Sequence, residues 1–160
     1  VEVDPRRLTR EHLVALREVG FNRASMGVQD NDPVVQKAVH RIQPMEKTFA
    51  LTLSAREIGF ESVNVDLIYG LPLQTESSFE RTIEQVNRLR PDRIALYAYA
   101  HLPERFKPQR RIDAHQLPSG ADQTMLIRPR CPVAESLAAD GRGNSARIPC
   151  SPNHWNAVSR

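Results

Sequence analysis

The chain has 160 residues, 40% of them hydrophobic, with a formal net charge of +3 and two cysteines. No apolar run approaches the roughly 20 residues of a membrane-spanning helix, and no basic stripe with interleaved aromatic residues is present, so we expect neither a membrane nor a nucleic-acid partner. Cys131 and Cys150 lack the spacing of a metal site or of a disulfide framework, which favours a reducing, cytoplasmic location.

The first hundred residues alternate apolar strands with amphipathic helices. The predicted strands are residues 1–3, 23–29, 62–70 and 93–100. The predicted helices are 9–19, one from Pro33 to about His40, one between Pro44 and Gly59, and one that Thr75 or Ser77 caps and Pro91 ends. The spacing of apolar residues predicts the buried positions of the last two helices, which are Phe49, Ala50 and Leu53, then Phe79, Ile83, Val86 and Leu89.

Strands joined by helices run parallel, so their carboxyl ends meet at one edge of a sheet, where α/β proteins bind ligands. Alternation along the strands predicts a helix-covered apolar face. The opposite face is small and polar, with Glu2, Ser25, Gly27, Gln29, Asn64 and Asp66. Tyr97, Tyr99 and His101 follow at the end of the fourth strand. These groups suit a ligand with hydroxyl, amine or adenine edges.

Each candidate residue also has an explanation that needs no ligand. Glu2 could pair with Arg6 or Arg7. Gln29 could hydrogen-bond the loop at Asp30, and Asn64 and Asp66 could satisfy neighbouring barrel groups. Arg41 follows a helix, where arginine often binds the last carbonyls.

Residues 113–160 form a different kind of segment. They contain both cysteines and the only tryptophan, and they show no stable period of strand or helix. We therefore divide the chain into a domain of residues 1–112 and an irregular tail of residues 113–160. Disorder and a shifted reading frame are alternative explanations of this tail.

Several motifs in order, "EVDPRRLTREHLVALREVGFNRASMGVQD", "VHRIQ", "AREIGFESVNVDLIYGLPLQT" and "RPDRIALYAYAHLPERFKPQRRI", closely resemble the oxygen-independent coproporphyrinogen III oxidases of the radical S-adenosylmethionine (SAM) superfamily. The resemblance runs from residue 1 to about residue 120. It implies an α/β fold, part of a (β/α)6 partial TIM barrel, of which this chain would supply strands three to six.

In that family a [4Fe–4S] cluster, held by a CxxxCxxC loop, reductively cleaves SAM. The 5′-deoxyadenosyl radical abstracts hydrogen from coproporphyrinogen III, and two propionates become vinyl groups, giving protoporphyrinogen IX for haem biosynthesis. The resemblance places two SAM molecules in the barrel. It assigns Glu2 to the SAM at the cluster, and Gln29, Arg41, Asp66 and Ala100 to the second SAM. It also implies an electron donor for the cluster and a monomeric enzyme.

The CxxxCxxC loop is absent from this sequence. We expect it upstream of Val1 in the parent enzyme, and we expect the fragment alone to be inactive. No residue is therefore assigned as catalytic or as a metal ligand. Two alternatives stay open, namely the related radical SAM haem chaperones, which also share a "DL-x-x-GLP" motif, and a non-functional pseudogene product.

Overall fold

The structure, a computed structural model, describes residues 1–119 and 145–149. Its elements are β1 (Glu2–Val3), α1 (Arg10–Glu18), β2 (Arg23–Gln29), α2 (Pro33–Ala38), α3 (Met45–Ile58), β3 (Ser62–Tyr69), α4 (Glu76–Arg88), β4 (Arg93–Ala98), two 3₁₀ turns (Lys107–Arg111 and Ala114–Gln116) and β5 (Ser145–Pro149).

The strands form one sheet in the order β1-β2-β3-β4-β5. The first four run parallel, which confirms the α/β fold class, and β5 runs antiparallel to β4. β5 lies in the segment predicted to be irregular, and alternation did not indicate it. The rest of that segment beyond residue 119 lies outside the described residues, so its irregularity stays a prediction.

The helices begin where the capping residues predict. Thr9 Oγ1 accepts a hydrogen bond from His12 N at 3.4 Å. Asp32 Oδ1 accepts one from Val34 N at 2.9 Å, and Thr75 Oγ1 accepts one from Ser78 N at 3.1 Å. α2 ends at Ala38, earlier than predicted, because His40 adopts a positive φ of 54°. Side-chain oxygens thus satisfy unpaired amides in the first turns of α1, α2 and α4, whereas α3 begins after Pro44 without a side-chain cap.

The helices cover the apolar face of the sheet that alternation predicts. Its buried residues are Ala24, Met26 and Val28 on β2, with Val63, Val65 and Leu67 on β3. From α4, Phe79, Val86 and Leu89 are buried as predicted, and Ile83 is partly buried against this core.

The predicted inward face of α3 is right for Phe49, which is partly buried against the core, and wrong for Ala50 and Leu53. Leu53 is 55% exposed and Ala50 also faces solvent, whereas Thr48, Leu51, Thr52 and Ala55 are buried. Thr48 tolerates burial because its hydroxyl accepts a hydrogen bond from Gln43 Nε2 at 3.0 Å. Ranking positions by hydrophobicity alone therefore placed two exposed residues inward and missed the buried threonines.

A charged cluster connects the end of β1 to the segment between α2 and α3. Arg6 Nη2 donates to Asp4 Oδ2 at 2.7 Å, and Arg41 Nη2 lies 3.3 Å from Asp4 Oδ1. Arg41 Nη2 also donates to the Gly27 carbonyl at 2.6 Å. The hydrogen bond from Arg6, with the charge of Arg41 assisting, lowers the pKa of Asp4 from 3.8 to about 2. Burial is the main cause that lowers the pKa of Arg41.

The lowered pKa makes the contribution of Asp4 to stability depend on pH. Because the folded-state pKa lies below the unfolded-state value, the Asp4 carboxylate stabilises the fold above about pH 4, and this stabilisation disappears as the pH falls towards about 2. We expect Asp4→Asn to lower the free energy of unfolding by roughly 1 kcal/mol at pH 7. We also expect the variant to lose less stability than the parent chain between pH 4 and pH 2, measured by urea unfolding.

Glu57→Gln is the control, since the ion pair of Glu57 with Arg10 is exposed. That variant should follow the parent chain at every pH. Parallel acid-destabilisation curves for the parent chain and Asp4→Asn would contradict the assigned role of Asp4.

Candidate functional site

The polar face of the sheet forms a pocket of about 250 Å³. Its lining residues are Glu2, Ser25, Asn64, Asp66, Arg93, Ile94, Ala95 and Tyr97. The parallel register explains why they meet, since Glu2 lies beside Ser25, Ser25 beside Asn64, and Asn64 beside Arg93. Two of the predicted site residues, Glu2 and Asp66, therefore contribute to one concave surface.

Asp66 is the buried carboxylate of this pocket, with 7% of its surface exposed. Ser25 Oγ donates a hydrogen bond to Asp66 Oδ1 at 2.8 Å. The neighbouring amide, Asn64 Oδ1, accepts a hydrogen bond from Ser62 Oγ at 3.1 Å. Hydrogen bonds from neighbouring serines are therefore present at both residues, as the explanation by neighbouring barrel groups expects. The position also leaves Asp66 facing a polar cavity that can receive a ligand with donor groups.

Glu2 lies at the exposed end of the pocket. Its proposed partner Arg6 forms its ion pair with Asp4 instead. Arg6 and Asp4 are close in the sequence, and the Arg6 backbone amide also donates a hydrogen bond to Asp4 Oδ1 at 3.0 Å. The pairing of Glu2 with Arg6 is therefore wrong.

Gln29 and Arg41 meet around Gly27. A methyl group at position 27 would lie 3.2 Å from Gln29 Nε2 and 3.4 Å from Arg41 Nη2, so only glycine leaves both side-chain ends undisturbed. Within the described residues, Gln29 Oε1 and Arg41 Nε are buried without a hydrogen-bond partner. An unpaired acceptor and an unpaired donor are thus both buried, and each costs free energy in that state.

The structure does not show the two ligand-free contacts that were expected of Gln29 and Arg41. Arg41 donates its side-chain hydrogen bonds to Gly27 and Asp4, and none goes to the final carbonyls of α2 within the described residues. The Asp30 carboxylate is bound by the Asp32 amide, by Thr82 and by Gln74 rather than by Gln29.

Ala100 is the predicted site residue that follows the fourth strand. It follows β4 and is exposed, and its carbonyl accepts a hydrogen bond from Gln109 Nε2 at 3.0 Å. Beyond it, Tyr99 Oη lies 3.2 Å from His101 Nδ1, and burial raises the pKa of Tyr99. Ala100 is not among the lining residues of the pocket.

Sequence patterns did not single out Asp4, Asp30 or Arg93. Asp4 and Arg41 are 37 positions apart, and Asp30 and Gln74 are 44 apart, so no local period connects them. Arg93 lines the pocket because it is the register partner of Asn64 on the neighbouring strand. Knowledge of strand pairing could have found Arg93, because the row Ser25–Asn64–Arg93 follows from parallel alignment.

Two further properties concern the described part of the chain. It contains no cluster of three or more histidine, cysteine, aspartate or glutamate residues that could hold a metal ion. In the same part, no helix has both the length and the apolar character needed to cross a membrane.

The chain is similar to curated enzymes named oxygen-independent coproporphyrinogen III oxidase. It is 52% identical to the one from Pseudomonas aeruginosa over 142 residues, which are 88% of this chain and 30% of that relative. It is 50% identical to the one from Helicobacter pylori strain J99 over 126 residues, which are 79% of this chain and 28% of the relative. The chain thus spans about 30% of the length of these relatives.

Solved structures give the same picture of the fold. Coproporphyrinogen III oxidase from Escherichia coli, a radical SAM enzyme, matches with a TM-score of 0.76 and 42% identity over 86% of this chain and 37% of that chain. The radical SAM methyltransferase TsrM from Kitasatospora setae matches with a TM-score of 0.59 and 18% identity over 64% of this chain and 20% of that chain, which concerns the fold alone.

Residues 1–86, more than half of the sequence, match the radical SAM superfamily. That superfamily uses SAM together with a [4Fe–4S] cluster. The parallel strands, the polar inner face and the residues matched agree, and the chain belongs to the radical SAM superfamily.

Proposed function

We propose that this chain forms the SAM-binding part of the barrel of an oxygen-independent coproporphyrinogen III oxidase. One observation carries the proposal. Gln29 Oε1 and Arg41 Nε, at two positions that the resemblance assigns to SAM, are buried and without a hydrogen-bond partner among the described residues. The approximately 50% identity to enzymes of that name supports the choice of reaction.

The chemistry of the two atoms suits a zwitterionic ligand. Arg41 Nε–H needs an acceptor, and Gln29 Oε1 needs a donor. SAM offers a carboxylate, an ammonium group, ribose hydroxyls and an adenine edge. Any two such groups that reach the space beside Gly27 would satisfy both atoms and remove the cost of burying them unpaired.

The pocket on the polar face supplies further ligand groups. Asp66, fixed by Ser25, presents a carboxylate to hydroxyl or amine groups, and Glu2 presents another at the exposed end. In the proposal, Asp66 joins Gln29 and Arg41 on the second SAM, Glu2 serves the SAM at the cluster, and Ala100 contributes a backbone contact to the second SAM. The Ala100 carbonyl already accepts a hydrogen bond from Gln109 Nε2.

When bound, SAM and a [4Fe–4S] cluster supply the radical chemistry by which two propionates of coproporphyrinogen III lose hydrogen and CO₂ and become vinyl groups. The residues of this chain bind and orient SAM for that reaction. Because no cluster-ligand set occurs among the described residues, we assign no residue of this chain to the cluster. The proposal also includes an electron donor, a cytoplasmic location and a monomeric enzyme.

Arg41→Lys tests the binding role directly on the 160-residue chain. Lysine keeps the positive charge but loses Nε–H and the planar fork of donors. We expect the affinity for SAM, measured by isothermal titration calorimetry, to fall about tenfold, which corresponds to roughly 1.4 kcal/mol. Arg10→Lys is the matched control and should keep the parent affinity, because Arg10 lies on the exposed face of α1. Equal affinities in the parent chain and Arg41→Lys would contradict the proposal.

A chimera tests the reaction. In the Pseudomonas aeruginosa relative, residues 1–119 of this chain replace the matching segment. We expect the purified chimera, with its cluster reduced and oxygen excluded, to convert coproporphyrinogen III to protoporphyrinogen IX, detected by fluorescence after oxidation. The parent relative and the chimera with Arg41→Lys are the controls. A folded chimera that binds haem without forming this product would instead favour the haem-chaperone alternative.

A further inference from the structure

Asp30 is a buried carboxylate outside the set of proposed ligands. Only 2% of its surface is exposed, and within the described residues no lysine, arginine or histidine forms an ion pair with it. Three neutral donors bind it instead, namely the Asp32 amide at 2.7 Å, Thr82 Oγ1 at 2.8 Å and Gln74 Nε2. Burial raises the pKa of Asp30, so this site is a costly place for a charge.

Gln74 extends this arrangement to the loop after β3. Its Oε1 accepts hydrogen bonds from Gly70 N at 2.6 Å and from Leu71 N at 3.3 Å, and its Nε2 also donates to the Ile68 carbonyl at 3.0 Å. Thr82 belongs to α4, so Asp30 connects three places: its own loop, the loop after β3, and α4. We refer to Asp30, Gln74 and Thr82 as the Asp30 clamp.

The backbone beside Asp30 is strained. Asp30 N donates to the Val28 carbonyl at 2.9 Å, which closes a three-residue turn around Gln29. Gln29 has a φ of 68°, and a γ-turn with a positive central φ is rare and unfavourable for a residue with a side chain. The pairing of β2 with β3 also shifts register between Gly27 and Gln29. Such a conformation persists only where the surroundings hold it.

We propose that Asp30 is a positioning residue, whose clamp holds the turn around Gln29 and thereby directs the Gln29 amide towards SAM beside Arg41. The inference rests on the proposed function, because SAM is the ligand that Gln29 meets. This positioning role explains why the Asp30 carboxylate is buried with neutral hydrogen-bond donors only. Three donors converge on it, and an apolar residue could fix neither the loop after β3 nor the turn.

The experiment is a double-mutant cycle on the 160-residue chain, with SAM affinity measured by calorimetry. Asp30→Asn places an amide N–H₂ opposite a donor of the clamp, and we expect the affinity to fall about tenfold. Gln29→Ala removes the ligand group itself and should cause a similar loss. Since Asp30 acts through Gln29, adding Asp30→Asn to Gln29→Ala should cause no further loss. A purely structural effect would lower affinity equally in both backgrounds.

Asp92→Asn is the matched control. Asp92 Oδ2 accepts a hydrogen bond from Val63 N at 2.8 Å ahead of β4, at the opposite end of the sheet from the clamp. That variant should lose stability in urea unfolding but keep the parent affinity for SAM. If Asp30→Asn does not fold, Thr82→Val takes its place in the cycle; it removes the hydrogen bond that the Thr82 hydroxyl donates to Asp30 and the one that it accepts from Asn31 N.

The outcomes separate the two proposals. Additive losses in the cycle, or an unchanged affinity of the Asp30→Asn variant, would overturn the role of Asp30 while leaving SAM binding intact. A folded parent chain without affinity for SAM would overturn the proposed function, and the role of Asp30 with it. Binding by the parent chain with non-additive losses would support both proposals.

Discussion

The close approach of two side chains to Gly27 is the constraint on which the site depends. Because position 27 has no side chain, Arg41 reaches the Gly27 carbonyl, and the Gln29 amide lies over the same backbone. Asp4 also binds the Arg41 guanidinium, through Nη1 and the same Nη2, and is itself bound by Arg6. A chain of charged groups thus runs from the end of β1 to the end of β2 and fixes the Arg41 guanidinium beside Gly27.

The two faces of the sheet have different physical roles. The helix-covered face buries the aliphatic residues of β2 and β3 and supplies most of the free energy of folding. The opposite face holds small or polar residues in register, which leaves room for a ligand. The strained turn at Gln29 and the buried Asp30 carboxylate both oppose stability. Their place at the carboxyl end of β2 is where a parallel α/β protein positions ligand groups.

Sequence patterns predicted the parts of this fold that local physics determines. Alternation assigned the faces of β2 and β3, because each strand residue points opposite to its neighbours. Thr9, Asp32 and Thr75 marked helix starts, because their oxygens satisfy free amides. Part of the inward face of α3 was missed, since Thr48 is buried with a hydrogen bond from Gln43 that periodicity does not reveal.

The site was predicted less completely, for a related reason. The pattern of strand ends pointed to Glu2, Gln29 and Asp66; Glu2 and Asp66 line the pocket, and Asp66 is the register partner of Gly27. Arg41 was a weak candidate from its position after a helix, and its assignment to the site came from the resemblance. Its distant partner Asp4 could not be inferred from a local period. Ala100, also from the resemblance, is not among the lining residues of the pocket.

The most direct test of the account is the affinity of Gly27→Ala for SAM, measured beside its unfolding transition. The added methyl would lie 3.2 Å from Gln29 Nε2, 3.4 Å from Arg41 Nη2 and 3.6 Å from the Val3 carbonyl oxygen, so a shift of the Gln29 side chain by a few tenths of an ångström accommodates it. We expect the unfolding transition of Gly27→Ala to be nearly unchanged and its affinity for SAM to be lowered about tenfold or more. An unchanged affinity in the folded variant would contradict the claim that SAM is bound beside Gly27.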